Sequence, residues 1–398
     1  LRILLLSNKV PFPAKDGSSI AMRSMAEALR LNAIELHLLC LNTQKHYREP
    51  AEIEKHKPEG INLEYFDVNT NVNLWSAGLN LLSGQAYHVS RFRQEALTKR
   101  LIELLRSTHF DIIQLEGLPM AVYLPEIRKY SKASVVLRAH NIEYQIWERH
   151  VEHEENAVRK AYLNLQTQRL KAFEKKSLEK VDGIAFISSE DQKIYREWGG
   201  RSLSTVSPCG LTPEENPPIS GYEAKYDLVH LASLDWLPNR QGAEWFLKEV
   251  WPLILEARPE TTMGFGGRDM PSEFIEMGSE NLWLYPIVES ARDFIGHGQV
   301  AVIPLLAGSG MRIKLLEFLA WGMPTVSTGI GAEGIAIENY KHGIIANDPE
   351  SFAAAVVYLL DGKESRQEMQ IQARNFFEEN FDNQILGKDL IQFYQTLI

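Results

Sequence analysis

Short apolar runs alternate with helical patterns along the chain, and that alternation starts twice. RILLLS is a continuous apolar run, and SSIAMRSMAEALR follows it with apolar residues at helical spacing. ELHLLCLN and INLEYFDV are the next strand candidates, followed by the helical stretch RQEALTKRLIELLRS. DIIQLEG and ASVVLRAHN read as strands, 153–180 as a long charged helix, DGIAFISS as a strand and DQKIYREWG as a short helix. Strands that alternate with helices in this way form parallel sheets covered on both faces. The rhythm breaks in SPCGLTPEENPPISGYEAK, which holds Pro208, Pro213, Pro217 and Pro218 and has no apolar period. It resumes with the strand YDLVHLAS and the helix GAEWFLKEVWPLILEA, then TTMGFGG, NLWLYP, QVAVIPL, MPTVST and GIIAND as short strands. The expected architecture is α/β: two doubly wound Rossmann-like domains, 1–207 and 223–379, joined by a linker over 208–222. The amphipathic segment 380–398 has no strand after it and is a candidate to pack back on the front domain. Ligands of such sheets sit beyond the carboxyl ends of the strands, so the expected site is a cleft between facing domains.

Composition narrows the function classes. Two cysteines in 398 residues, Cys40 and Cys209, exclude a disulfide framework and a cysteine-rich zinc site. No apolar stretch reaches the roughly 18 residues that a spanning helix needs, and no signal-peptide pattern is evident at the start. The expectation is a cytoplasmic protein, free or peripheral to a membrane. The net charge of −10 is uneven: residues 1–207 hold 29 basic and 25 acidic side chains, leaving 13 and 27 for the remainder. An acidic chain is a poor nucleic-acid binder. The slightly basic front half is compatible with contact with an anionic membrane, although two separately evolved domains are the commoner source of such asymmetry.

The most informative stretch is GSGMRIKLLEFLAWGMPTVST, residues 308–328. A strand ends in Gly-Ser-Gly, a helix of good formers begins, Gly322 stops it, and Pro324 leads into the next strand. A glycine turn at a helix N-terminus offers free backbone N–H groups and the positive end of the dipole, which suits a diphosphate. Arg312 and Lys314 add positive charge there, and Glu317 lies one turn further on, where a carboxylate can accept from two ribose hydroxyls. By spacing alone, Lys314 and Glu317 equally fit an i, i+3 surface pair.

This stretch resembles the donor-binding segment of glycosyltransferase family four, the retaining enzymes of GT-B fold. Glu317, Gly322 and Pro324 match the second half of the family's Glu-x7-Glu pattern, and the first Glu falls on Ser309. A subgroup carries GSG-x-R-x-K-x-x-E here, which this sequence matches. The resemblance implies that Glu317 binds the nucleotide ribose and that Ser309, Gly310 and Met311 meet the donor. Residues 230–254, HLASLDWLPNRQGAEWFLKEVWPLI, resemble the start of the same domain. Where relatives keep an Arg and a Lys for the diphosphate, this chain has Ser233 and, near the second position, Asn239 and Arg240. Arg312 and Lys314, with Arg240 helping, are therefore expected to hold the phosphates. In the front domain, VPFPAKDGSSIAMRSMAEALR places Gly17 in the loop that faces donor phosphate and acceptor in relatives. LRAHNIEYQIWERH matches an HN-x-E run whose His, here His140, lies against the sugar or acceptor. Gly266 and Gly267 are expected near the donor, and Ile287 to Glu289, centred on Val288, beside the nucleobase.

The resemblance implies a GT-B glycosyltransferase that moves a sugar from a nucleotide diphosphate donor to an acceptor with retention. The acceptor class by family habit is a polysaccharide or a lipid-linked glycan, and its pocket is expected from front-domain loops such as 69–92. Negative charge on the leaving diphosphate would be met by the helix dipole, Arg312 and Lys314. No Asp-x-Asp motif stands at a plausible strand end, so neither a metal nor a cofactor is expected. A nucleotide-sugar 2-epimerase and a non-catalytic nucleotide-sugar-binding protein share the same architecture and are the alternatives.

Overall fold

The computed structural model describes residues 1–70, 80, 84–152, 154–308 and 310–398. It divides into two compact units, Leu1–Gly210 with Asn383–Ile398, and Leu211–Asp382. Residues 71–79 and 81–83 of the expected acceptor segment 69–92 lie outside the described residues.

The first unit is built on a seven-stranded sheet of order β3-β2-β1-β4-β5-β6-β7, parallel throughout. Its strands are β1 Arg2–Ser7, β2 Glu35–Thr43, β3 Ile61–Val68, β4 Ile112–Glu116, β5 Ser134–Ala139, β6 Gly183–Phe186 and β7 Leu203–Val206. Alternate residues enter opposite cores. Leu4 and Leu6 join Ile113 and Leu115 on one face, while Ile3 and Leu5 join Leu38 and Val136 on the other. The chain reverses its winding between β1 and β4, the place where open α/β sheets present ligand sites.

The helix Gly17–Leu31 follows β1. Asp16 caps it, its carboxylate accepting from Ser19 N at 3.0 Å while the Ser19 hydroxyl closes the capping box. The C-terminal helix Asn383–Gln395 packs on this helix so closely that a Cβ on Gly387 would sit 2.3 Å from Ala28 O. Its Tyr394 is fully buried against the sheet and donates its hydroxyl to Gln114 Oε1.

The second unit has a six-stranded parallel sheet of order β10-β9-β8-β11-β12-β13. The strands are β8 Tyr226–Ser233, β9 Met263–Arg268, β10 Leu282–Tyr285, β11 Gly298–Ile303, β12 Thr325–Ser327 and β13 Ile344–Ile345. The helical pattern over 242–257 contains Pro252, which has no N–H and whose ring crowds the carbonyl one turn back. Helix Leu237–Trp245 therefore passes through a wider π turn, Phe246–Val250, before Trp251–Ala257. Among the described residues, no helix is long and apolar enough to cross a membrane.

Candidate functional site

In the second unit, the turn after β11 leads into the helix Ile313–Ala320. Gly308 and Gly310 have φ of +123° and +87°, backbone that a side chain would strain, so the two glycines make this turn possible. Ser309 lies between them, outside the described residues. The helix ends at Gly322, whose φ is +64°.

The two cations expected at this turn are placed differently. Arg312 is buried at the helix N-cap, its Nε donating to Ile330 O at 2.9 Å and its Nη2 to Glu333 Oε2 at 3.1 Å. Its guanidinium lies under Gly308, where a Cβ would come within 2.9 Å of Nη2. Met311 packs against Gly334, whose added Cβ would meet Met311 Cα at 2.7 Å. Arg312 and Met311 thus anchor the turn to the segment after β12. Lys314 and Glu317 lie on the helix itself, half-buried, and neither side chain has a hydrogen bond or close ion pair with any described residue.

Their environment shifts both groups. Burial lowers the Lys314 ammonium to about 8, with Glu317 opposing the shift and Arg312 adding to it. Burial raises the Glu317 carboxyl to about 7, against the pull of Lys314. Glu317 holds its proton more tightly folded than unfolded, so its stabilising contribution is full below 4.5 and is lost as pH rises through about 7. Lys314 is the reverse: its contribution is full above 10.5 and is lost as pH falls through about 8. Both are predominantly charged together between about 7 and about 8. If Lys314 meets phosphate and Glu317 accepts from ribose, nucleoside diphosphate affinity should peak in that window. Titration calorimetry across pH checks this, with weakening expected on the acid side from Glu317 protonation and on the basic side from Lys314 neutralisation.

Other residues singled out in the second unit fall at the carboxyl ends of β8 to β10. Gly266 on β9 and Val288 after β10 are brought together, because a Cβ on Gly266 would lie 2.9 Å from Val288 Cγ2 and from Leu231 Cδ1. A Cβ on Gly267 would meet Ala232 O at 2.7 Å. Backbone packing across the sheet thus demands glycine at 267, while at 266 a side chain would have to displace Leu231 and Val288. Arg240 is exposed and forms an ion pair with Glu273. Arg268, which the sequence reading did not single out, ends β9 opposite Ser233 and donates to Ser233 Oγ at 2.9 Å. Its position is readable from GFGGRD only once the register of β8 with β9 is known.

The first unit has a cavity of about 510 Å³ lined by Lys9, Ser18, Glu116, His140, Asn141 and Trp147, among others. Gly17 opens the helix beside it, and a Cβ there would meet nothing within 4 Å. Lys9 of its lining pairs with Asp16 at 3.0 Å. Burial opposes ionisation of Asp16, but hydrogen bonds from His46, Lys9 and the Ser19 backbone hold its carboxyl well below the usual range. His140 follows β5, and its Nε2 is 2.8 Å from Glu116 Oε2 at the end of β4. Beside Glu116 is Arg138, fully buried, with Nη1 at 3.4 Å from the same oxygen. Burial pushes Glu116 up, yet Arg138, His140 and Gln114 together bring it below the ordinary carboxylate value. Burial lowers His140, with Glu116 opposing. Glu143 of the HN-x-E run also lines the cavity, and burial, with Asp191 adding, raises it to about 7.

Residues 225–362 match the family model for glycosyl transferases group 1. The match spans both segments that carry the sequence resemblance in the second unit, 230–254 and 308–328, and supports sugar transfer as the chemistry. A Klebsiella pneumoniae protein described as an uncharacterized 44.6 kDa protein in the cps region is 23% identical over 407 residues, with 96% of this chain and 97% of that one covered. Among solved structures, Alr3699/HepE of Anabaena in complex with UDP superposes with a TM-score of 0.68 at 12% identity over 100% of both chains. Sucrose-phosphate synthase from Thermosynechococcus elongatus gives 0.69 at 13% identity, over 100% of this chain and 99% of that one. Staphylococcal TarM (S. aureus), in a complex with Fondaparinux, alpha-GlcNAc-glycerol and UDP, gives 0.65 at 10% identity over 99% of each. The two Rossmann-like units with parallel sheets of seven and six strands are those of the GT-B fold.

Proposed function

We propose that the chain transfers a sugar from a nucleoside diphosphate sugar to a glycan or lipid-linked acceptor, with retention and without a required metal. The observation that carries this reading is the half-buried, unpartnered Lys314 and Glu317 behind a left-handed glycine turn. The first turn of helix Ile313–Ala320 and Lys314 would receive the diphosphate, and Glu317 the ribose hydroxyls. Arg312, bonded to Ile330 and Glu333, would hold the glycine turn in shape and add positive charge behind it. Gly310 and Met311 belong to that turn, Ser309 is carried as a donor contact by the resemblance alone, Gly266, Gly267 and Val288 would border the nucleotide, and Arg240 is the outermost candidate contact.

In the transfer, the bond between the anomeric carbon and the β-phosphate oxygen breaks as the acceptor oxygen bonds to that carbon. The acceptor proton leaves to the departing phosphate, whose charge the helix N-terminus and Lys314 stabilise. Retention rests on the family resemblance, in which the acceptor enters on the face the leaving group departs from. His140 would orient a substrate hydroxyl from the first unit's cavity, with Gly17 beside it. Under this reading the protein works on the cytoplasmic side, free or peripheral to a membrane through its first unit.

UDP is the first nucleotide to test, because HepE and TarM are described in complex with it. A thermal-shift panel of UDP, GDP, ADP and their sugars should show one base selectively stabilising the protein, undiminished by EDTA. The selected donor should then be consumed only when an acceptor is present. Conversion of the donor alone would identify a 2-epimerase, and binding with no turnover would identify a nucleotide-sugar-binding protein.

A further inference from the structure

Glu116 and His140 are 24 positions apart and meet because β4 and β5 are adjacent parallel strands. The carboxylate is almost completely buried, and its neighbours present protons to it. Gln114 Nε2 donates to Oε1, and Arg138 Nη1 approaches Oε2 at 3.4 Å. Gln114 is itself held, its Oε1 accepting from Tyr394 of the C-terminal helix. A carboxylate ringed by donors carries no proton of its own, so the 2.8 Å contact requires His140 Nε2 to be the donor. In a neutral imidazole that leaves Nδ1 bare. His140 lines the cavity, and Nδ1 has no hydrogen-bond partner among the described residues.

We propose that Glu116 is a positioning residue: it fixes His140 as the Nε2–H tautomer and makes Nδ1 a hydrogen-bond acceptor for a hydroxyl of a sugar bound in the first unit's cavity. The substrate class rests on the transferase reading; the tautomer does not. The charged groups that act on the ring are Glu116 on β4, Arg138 on β5 and Lys9 after β1. Burial, Arg138 and Lys9 keep the ring neutral, against Glu116.

Two measurements on the full chain test this. Histidine 15N shifts, with His140 assigned by comparison with His140→Gln, should show protonated Nε2 and bare Nδ1 at neutral pH. In Glu116→Gln, the amide can offer a donor to the ring, so a mixed or inverted tautomer is expected. Transfer should fall by at least roughly tenfold in kcat. A rise in KM for the acceptor would place the hydroxyl on the acceptor, and a rise in KM for the donor would place it on the donor sugar. Nδ1–H in the wild type would overturn the proposal even if Glu116→Gln fails to fold. So would a Glu116→Gln protein with unchanged tautomer and unchanged kcat. The predicted tautomer in a chain that transfers from no nucleotide sugar would reject the transferase reading and leave the assignment of Glu116 standing.

Discussion

Arg138→Leu is expected to destabilise the first unit by about 3–5 kcal/mol, the usual effect of removing one partner of a buried ion pair. Arg138 is fully buried. Its Nη1 donates to Ala21 O at 2.9 Å and approaches Glu116 at 3.4 Å, and Nη2 reaches Ser207 O at 3.5 Å. Leucine fills part of the space and answers none of these acceptors, leaving the Glu116 charge buried without its counterion. The pH dependence gives the prediction a second edge. The folded pKa of Glu116 in the wild type is below its ordinary 4.5, so its contribution is present above 4.5 and is lost as pH falls through the folded value. Without Arg138 the carboxyl shifts upward and takes up a proton more readily. The stability gap should therefore be widest at neutral pH and narrow on acidification. Urea unfolding of both proteins at several pH values reads this directly; a gap below about 1 kcal/mol at neutral pH contradicts it.

Glu317→Ala should lower affinity for the nucleoside diphosphate, and transfer with it, by roughly 100-fold. Two hydrogen bonds to a charged carboxylate, at about 1.5 kcal/mol or more each, account for that factor. The same change should leave stability intact. The Glu317 side chain makes no hydrogen bond or close ion pair with a described residue, and Lys314 acts on it only through space, so removing it leaves no hydrogen-bonding group unsatisfied. Large functional loss without destabilisation separates a ligand contact from a surface pair with Lys314. Calorimetric titration and thermal unfolding of the variant supply both halves. Unchanged affinity would remove Glu317 from the site.

The central strands were legible because the chain buries them on both faces, and the edge strand β3, of which only Ile61 is buried, because its apolar and aromatic residues still mark a strand. INLEYFDV and RILLLS coincide with Ile61–Val68 and Arg2–Ser7. β7, Leu203–Val206, has no buried residue and lies at the sheet edge, so it leaves no apolar run to read. The long charged helix expected near 153–180 is Ala157–Leu178, capped by Asn156, and a separate helix, Glu143–Glu152, precedes it. At the candidate site, Lys314 and Glu317 were readable because one turn and one helix carry both. The Glu116–His140 contact was not, because strand order and register create it. DIIQLEG reads as a strand whether or not its last side chain meets a histidine. The bonds of Arg312 to Ile330 and Glu333 depend in the same way on where the segment after β12 returns.

The most direct measurement is a crystal structure of the protein with the nucleoside diphosphate selected by the thermal-shift panel. The ribose hydroxyls should lie about 2.5–3.0 Å from the Glu317 carboxylate, and the pyrophosphate oxygens should accept from backbone N–H groups at the start of helix Ile313–Ala320. A nucleotide held elsewhere, with Glu317 and that helix start untouched, would contradict the proposed site and the activity built on it.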